Sequence, residues 1–220
     1  MTSDKLILLG GGALARVLVD LCGREAFAAT YVEPAFDSAP IAGLPVLRDW
    51  ASARARGQRF VVAVGDIALR RRLQQDALAA GLQPCAPLVS PHAVLAGDVQ
   101  LGPGCVIGPM CTLAPGVQLQ AHVLLMPAVV LGHDVSVGEN CVLTAGTVMG
   151  GGSGLERDCF IGLNATIVPR VRLAAGCVVG AAALCLRDVL QASVLVGNPA
   201  RAQPREPREI GGAGGAGGAG

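Results

Sequence analysis

One adjacent pair of side chains, His133 and Asp134, has the composition for proton transfer. A carboxylate beside an imidazole can hold one ring nitrogen, set the tautomer and raise the basicity of the other, which is what a general base needs. The other histidines are His92 and His122. His92 sits where two sequence patterns meet and reads as structural; His122 ends a six-residue unit and reads as a solvated corner. Two glycine runs are the remaining candidates. Gly10, Gly11 and Gly12 fall between an apolar stretch and a helical pattern, spell GxGxxA with Ala15, and are followed about 20 residues later by Glu33, as in a dinucleotide fingerprint. Backbone amides at a helix N-terminus attract phosphate, and glycine lets it approach closely; a tight turn needing positive φ would use the same residues. Gly150, Gly151 and Gly152 suit either an extended ligand lying against the backbone or a permissive corner.

His133 is placed by a repeat. From Ala93 to Asp188 the chain divides into sixteen hexads without insertion. The third place is apolar in all of them, from Leu95 to Val179 and Cys185, and the first is small or β-branched, as in Val99, Cys105, Val129, Cys141, Ala165 and Cys177. A six-residue period predicts a parallel β-helix in which three hexads make a triangular turn. Each turn buries its apolar residues only by stacking on the next. The interior is thereby committed to packing, so chemistry belongs on the corners.

Before the repeat, strands alternate with helices: strand Lys5–Leu9, helix Ala13–Cys22, strand Thr30–Val32, a short helix within Val46–Arg56, strand Phe60–Val64, helix Ile67–Ala80 and a last strand in Gln83–Val89. That alternation predicts a small parallel α/β unit. Gly12, Glu33 and Gly65 would then meet outside the carboxyl ends of the strands, where such sheets bind ligands. Asp66 either joins them or simply caps the next helix. The expected organisation is an α/β domain over residues 1–90, a β-helix over 91–202 with VLVGNPAR as its closing segment, and a disordered Gly-rich tail over 203–220.

Composition narrows the function. Aromatic residues make up only 3% of the 220, as a narrow prism requires, and the net charge of +1 favours neither nucleic acid nor an anionic membrane surface. There is no leader-like segment and no span-length apolar run, so a cytoplasmic protein without membrane insertion is expected. The eight cysteines mostly occupy inward hexad places and read as reduced core thiols; with no CxxC and no Cys/His cluster, no metal is expected.

The motifs LILLGGGALAR, VAVGDIALRRRL, VVLGHDVSVGENC, FIGLNATIVPRV and VGNPAR, together with the hexads, resemble the hexapeptide-repeat acyltransferases with a left-handed β-helix. More narrowly, the chain is similar to bacterial sugar acetyltransferases that carry a Rossmann-like domain before the β-helix: the sialic acid O-acetyltransferases and the nucleotide-aminosugar N-acetyltransferases of bacillosamine and perosamine pathways. The resemblance covers Lys5 to about Arg201. It implies acetyl-CoA as co-substrate, a homotrimer, a sugar or nucleotide-sugar acceptor, His133 as general base and Asp134 as its orienting partner. It further implies the nucleotide at Gly12, Ala13, Leu14, Glu33 and Gly65, and acetyl-CoA at Val142, Gly151, Leu163 and Ala181, largely through backbone. The chain departs from the family pattern at Leu14, where a histidine is usual, at Glu33-Pro34 for an acidic pair, at Met126, often Asn, and at Val142, a second histidine in some members.

The expected reaction is acetyl transfer to the amino group of a nucleotide-linked aminosugar by direct attack. O-acetylation of a sialic acid or other sugar is one alternative, and a non-catalytic trimeric sugar-binding scaffold another. A γ-type carbonic anhydrase would need three zinc histidines, and positions 92, 122 and 133 lack the close pair such a site uses.

Overall fold

The computed structural model describes residues 5–203. The α/β unit holds five parallel strands, β1 (Leu6–Leu9), β2 (Phe27–Tyr31), β3 (Val46–Leu47), β4 (Arg59–Val62) and β5 (Gln83–Pro84), in the order β3-β2-β1-β4-β5. Helices α1 (Ala13–Cys22), α2 (Trp50–Arg56) and α3 (Ile67–Ala79) connect them. The strand order reverses at β1, so the crevice expected for a ligand lies between the loops after β1 and β4. Two elements differ from the sequence reading. The region around Val46 contributes the edge strand β3 before its helix, because Val46 and Leu47 pair with Thr30 and Tyr31. The apolar run expected as one last strand is divided: β5 closes the α/β sheet, while Leu88–Val89 pairs with Val106–Ile107 and begins the β-helix.

From there the chain winds through two-residue strands, each pairing with the strand eighteen residues on, as Thr112 with Val130 and Val130 with Val148. Three parallel sheets result, forming the faces of a prism, and the helix is left-handed. Every sixth residue from Gly104 to Ala182 has positive φ. These are the sixth hexad places, and each left-handed residue turns a corner. Gly, Asn and Asp hold nine of them, Asp134 among them at φ 57°. At the C-terminal end Val194–Val196 pairs with Val178–Val179, and an antiparallel strand, Arg201–Gln203, closes on it. Gln203, expected to begin a disordered tail, is thus the last residue of a strand; the rest of the expected tail lies outside the described residues.

The third-place residues fill the prism, and the first-place cysteines share that core. Their thiols also have a polar task. Cys105, Cys111, Cys141 and Cys159 donate S–H to the corner carbonyls of Gln120, Met126, Glu156 and Ala174 at 3.0–3.3 Å. Cysteine is small and apolar enough for the interior while still offering a weak donor. Thr147 and Ser153, buried in the same seat, use hydroxyls instead, on Thr144 and Gly150 carbonyls at 2.8 and 2.6 Å.

The three faces differ outside. One carries Val106, Leu124 and Val142, each 3% exposed or less, which form a single core with Leu6, Leu8, Leu18, Phe27 and Val61 of the α/β unit. The second carries Val94, Thr112, Val130, Val148, Thr166 and Leu184, with Val130 and Val148 39% and 38% exposed. The third carries Gln100, Gln118, Ser136 and Arg172, with Gly154 beneath.

The first face is also fastened by polar contacts at one of its corners. Arg70, on α3 and 1% exposed, donates to the carbonyls of Val64 and His122 at 2.9 and 2.7 Å and to Asn140 Oδ1 at 3.3 Å. Asn140 also accepts from Gln74 and donates to Asp158, which pairs with Arg71 at 2.7 Å. Burial lowers the Arg70 guanidinium to about 10, a range in which it remains protonated at neutral pH.

Candidate functional site

His133 and Asp134 lie on the corner where the chain passes from the apolar second face to the polar third face, between the Val130–Leu131 and Ser136–Val137 strands. Asp134 N–H donates to the Pro115 carbonyl one turn back, at 2.9 Å, and the His133 carbonyl accepts from Gly152 N–H one turn on, at 2.7 Å. The backbone of the dyad is therefore fixed on both sides. His133 Nδ1 and Asp134 Oδ2 are 2.8 Å apart. Both side chains are exposed, 73% and 71%. With Nδ1 engaged, Nε2 is the nitrogen free to exchange a proton.

Gly151 stands one turn beyond His133 on the same corner. A Cβ built there would collide with His133 Nε2. Any side chain at 151 would occupy the space at Nε2, so glycine keeps it open. Gly150 packs its Cα against Pro169 one turn further on. The second glycine run thus shapes the surface immediately beside His133.

The other residues expected to hold acetyl-CoA divide into two groups. Leu163 and Ala181 stack on the opposite edge of the apolar face, joined by the Ala182 N–H to Leu163 carbonyl bond of 2.7 Å, and both are exposed. They and Gly151 therefore border one face from its two edges. Val142 does not join them. It lies on the face covered by the α/β unit, 2% exposed, and packs in the shared core. A valine at a covered second place is drawn into interdomain packing, which leaves its side chain no free surface for a ligand.

In the α/β unit, Gly12, Glu33 and Gly65 follow β1, β2 and β4 at their carboxyl ends. Gly12 precedes α1 with no side-chain cap, and a Cβ at Gly12 or Gly65 would meet nothing within 4 Å. Ala13 is exposed, whereas Leu14 packs partly against the shared core. The Glu33 carboxylate is paired with Arg72 at 2.7 Å, so a ligand meets a carboxylate that already has a cationic partner. Asp66 caps α3, accepting from Leu69 N–H at 2.8 Å.

The remaining histidines divide the same way. His92 is exposed beside the first turn. His122, expected as a solvated corner, is instead buried at 4% exposure and stacks on Phe60 with ring centroids 5.7 Å apart. The corner it occupies is the one α3 covers, and the α/β unit excludes water from it. Burial, then the charges of Arg70 and Arg71, push its imidazole down to about 4.

The second face and the dyad's corner remain uncovered, as do the third face and the Gly12–Gly65 crevice. The apolar face was legible in advance: taking the second hexad place at every third hexad separates V-T-V-V-T-L from Q-Q-S-G-R. Among the described residues no group of three His, Cys, Asp or Glu is arranged to hold a metal, and no helix is long and apolar enough to cross a membrane.

The hexapeptide repeat of succinyl-transferase matches residues 129–150 and 154–182. No curated protein matches the chain. Among solved structures, PerB from Caulobacter crescentus, in complex with CoA and GDP-perosamine, is 27% identical with a TM-score of 0.82, over 91% of this chain and 97% of that one. A histidine variant of perosamine N-acetyltransferase from the same organism, also in complex with CoA and GDP-perosamine, is 25% identical with a TM-score of 0.83 over the same shares. The acetyltransferase domain of PglB from Neisseria gonorrhoeae FA1090 is 21% identical with a TM-score of 0.81, over 91% of this chain and 100% of that one, a likeness of fold. The expectation of a hexapeptide-repeat acyltransferase, with a left-handed β-helix behind an α/β unit, is met by the repeat match and by these likenesses.

Proposed function

We propose that the chain is an acetyl-CoA-dependent N-acetyltransferase of a nucleotide-linked aminosugar, acting as a homotrimer. The observation that carries this reading is the His133–Asp134 pair, 2.8 Å apart and exposed, with Gly151 offering no Cβ to block Nε2. Acetyl-CoA complements that surface: Gly151 leaves room at the base, and Leu163 and Ala181 offer apolar contact across the face. The relatives bound to CoA and GDP-perosamine support the choice of donor and of acceptor class.

In the mechanism His133 Nε2 takes the proton from the acceptor amine as the C–N bond to the acetyl carbonyl forms. Asp134 holds Nδ1 and stabilises the imidazolium. The thioester C–S bond then breaks, and the proton is returned to the thiolate. The Gly151 N–H supplies the oxyanion contact, since the Gly150 and Gly152 N–H groups donate to the Ile167 and His133 carbonyls.

The prism's faces support the trimer. The dyad's corner is the one that does not border the α/β-covered face, so His133 points away from its own Gly12–Gly65 crevice. Val94, Val130 and Val148 form an exposed apolar strip beside it, and a second copy of the chain is the occupant that would cover the strip and bring a crevice toward the base. A cytoplasmic location and a place in polysaccharide biosynthesis accord with this reading.

Thiol release from acetyl-CoA with UDP- and GDP-linked aminosugars, free aminosugars and sialic acid tests the reading. Turnover with a nucleotide-linked aminosugar at least tenfold above the other acceptors is expected. Preference for a hydroxyl acceptor would replace N- by O-acetylation, and no turnover without acetyl-CoA binding would leave a sugar-binding scaffold.

A further inference from the structure

The chain has four Phe, one Tyr and one Trp, and only Phe36 presents its ring to solvent without a partner. Phe27 and Phe60 are fully buried, Phe160 packs against the interdomain core, and Tyr31 stacks on Trp50 at 3.8 Å. Phe36 is 50% exposed. It stands on the loop that follows β2, at the carboxyl edge that also carries Gly12 and Gly65.

That loop is built to hold its shape. Phe36 N–H donates to the Glu33 carbonyl at 3.0 Å. The Arg48 guanidinium donates to the carbonyls of both Glu33 and Phe36. Ser38 Oγ donates to the Gly11 carbonyl at 3.1 Å, and Gly11 has no room for a Cβ against Ser38 and Val32. The aromatic loop and the glycine loop are thereby locked together. Burial would stabilise a phenyl group, yet Phe36 stays half exposed on a loop whose backbone is tethered three ways, and its place beside an open glycine cradle points to a partner with a flat apolar surface. The Glu33 carboxylate is paired with Arg72, which offsets its charge beside a diphosphate.

We infer that Phe36 is the platform on which the nucleobase of the acceptor stacks, with the diphosphate at Gly12 and Gly65, making Phe36 a specificity-determining residue. The inference rests on the nucleotide-sugar reading above. Stacking is tolerant of base identity because every base offers a π-face, so Phe36 would select nucleotide-linked over free sugars and leave the choice of base to other contacts.

Calorimetry with UDP, GDP and inorganic diphosphate on the full chain, with Phe36→Ala and Phe36→Tyr beside it, tests this. The native chain should bind both nucleoside diphosphates more tightly than diphosphate. Phe36→Ala should weaken nucleoside diphosphate binding about 5- to 100-fold while diphosphate binding is unchanged, and Phe36→Tyr should restore it. Equal affinities in native and Phe36→Ala chains would overturn the platform while leaving the nucleotide-sugar reading standing. No binding of either nucleoside diphosphate by the native chain would remove both. A change of assembly state in Phe36→Ala, seen by sedimentation, would reassign Phe36 to a subunit interface.

Discussion

The Cα of Gly151 lies so close to His133 Nε2 that a Cβ could not be placed between them. Gly151 is not at positive φ, so alanine fits its backbone, and the cost of Gly151→Ala falls on the imidazole. A displacement of about 1 Å at a reacting group can cost on the order of 100-fold in rate. Gly151→Ala should lower kcat by about that factor with little change in melting temperature. Gly152, at φ 68° with its nearest neighbour only Arg170 Cγ, gives the contrast: Gly152→Ala should cost about 1 kcal/mol of stability and much less activity. Steady-state kinetics and thermal melts on the two variants separate the effects.

The apolar second face makes a prediction about assembly. Val130 and Val148 project outward from neighbouring turns. Val148→Glu places a charge on that strip without touching the prism's interior. Sedimentation should show the native chain as a trimer and Val148→Glu as a monomer with an unchanged circular dichroism spectrum. A monomeric native chain would mean that the strip is not the interface.

His122 predicts a pH effect of definite sign. The unfolded chain takes up its proton near 6.5 and the native chain only near 4. Between those values the unfolded state binds more protons, so stability is lost as the pH falls through that window. The contribution is on the order of 2–3 kcal/mol. Asparagine accepts the left-handed corner at 122 (φ 60°) and does not titrate. Urea melts from pH 7.5 to 4.5 should fall less steeply for His122→Asn than for the native chain.

Thiol reactivity follows from burial. None of the eight cysteines is in a disulfide, and Cys22 alone among them is partly accessible. Desolvation pushes Cys85 up to about 12 and Cys105 and Cys185 to about 11. A thiol reagent at pH 8 should modify Cys22 slowly and the other seven only on unfolding, and Cys22→Ser should abolish the native-state reaction.

How much of this was legible in the sequence depends on whether a residue's role is set by local period or by what packs over it. Leu113, Leu131 and Met149 were assignable to the core because an eighteen-residue turn places them in one stack. Asp134 was recognisable as the partner of His133 because the two are adjacent. His122 was misread because the period assigns it a corner and cannot say that α3 covers that corner with Arg70 and Arg71. Val142 was misjudged for the same reason, since a second-place valine is exposed or buried according to the face it falls on. Leu88 and Val89 look like any apolar pair, and only pairing with Val106 and Ile107 assigns them to the β-helix. Glu33 kept its place at the strand end, but its charge was spoken for by Arg72, thirty-nine residues away in the chain.

The central claim is that His133 acts on an acceptor held by a neighbouring copy of the chain. Two inactive variants test it when mixed. His133→Ala lacks the base but keeps its crevice. Gly12→Asp combined with Gly65→Asp keeps the base and places carboxylates where the phosphates would lie, at two positions with open space for a side chain. Each alone should be at background. After co-refolding in equal amounts, random trimers should regain about a quarter of the native activity, because one interface in four joins an intact base to an intact crevice. A mixture no more active than its components would contradict the account.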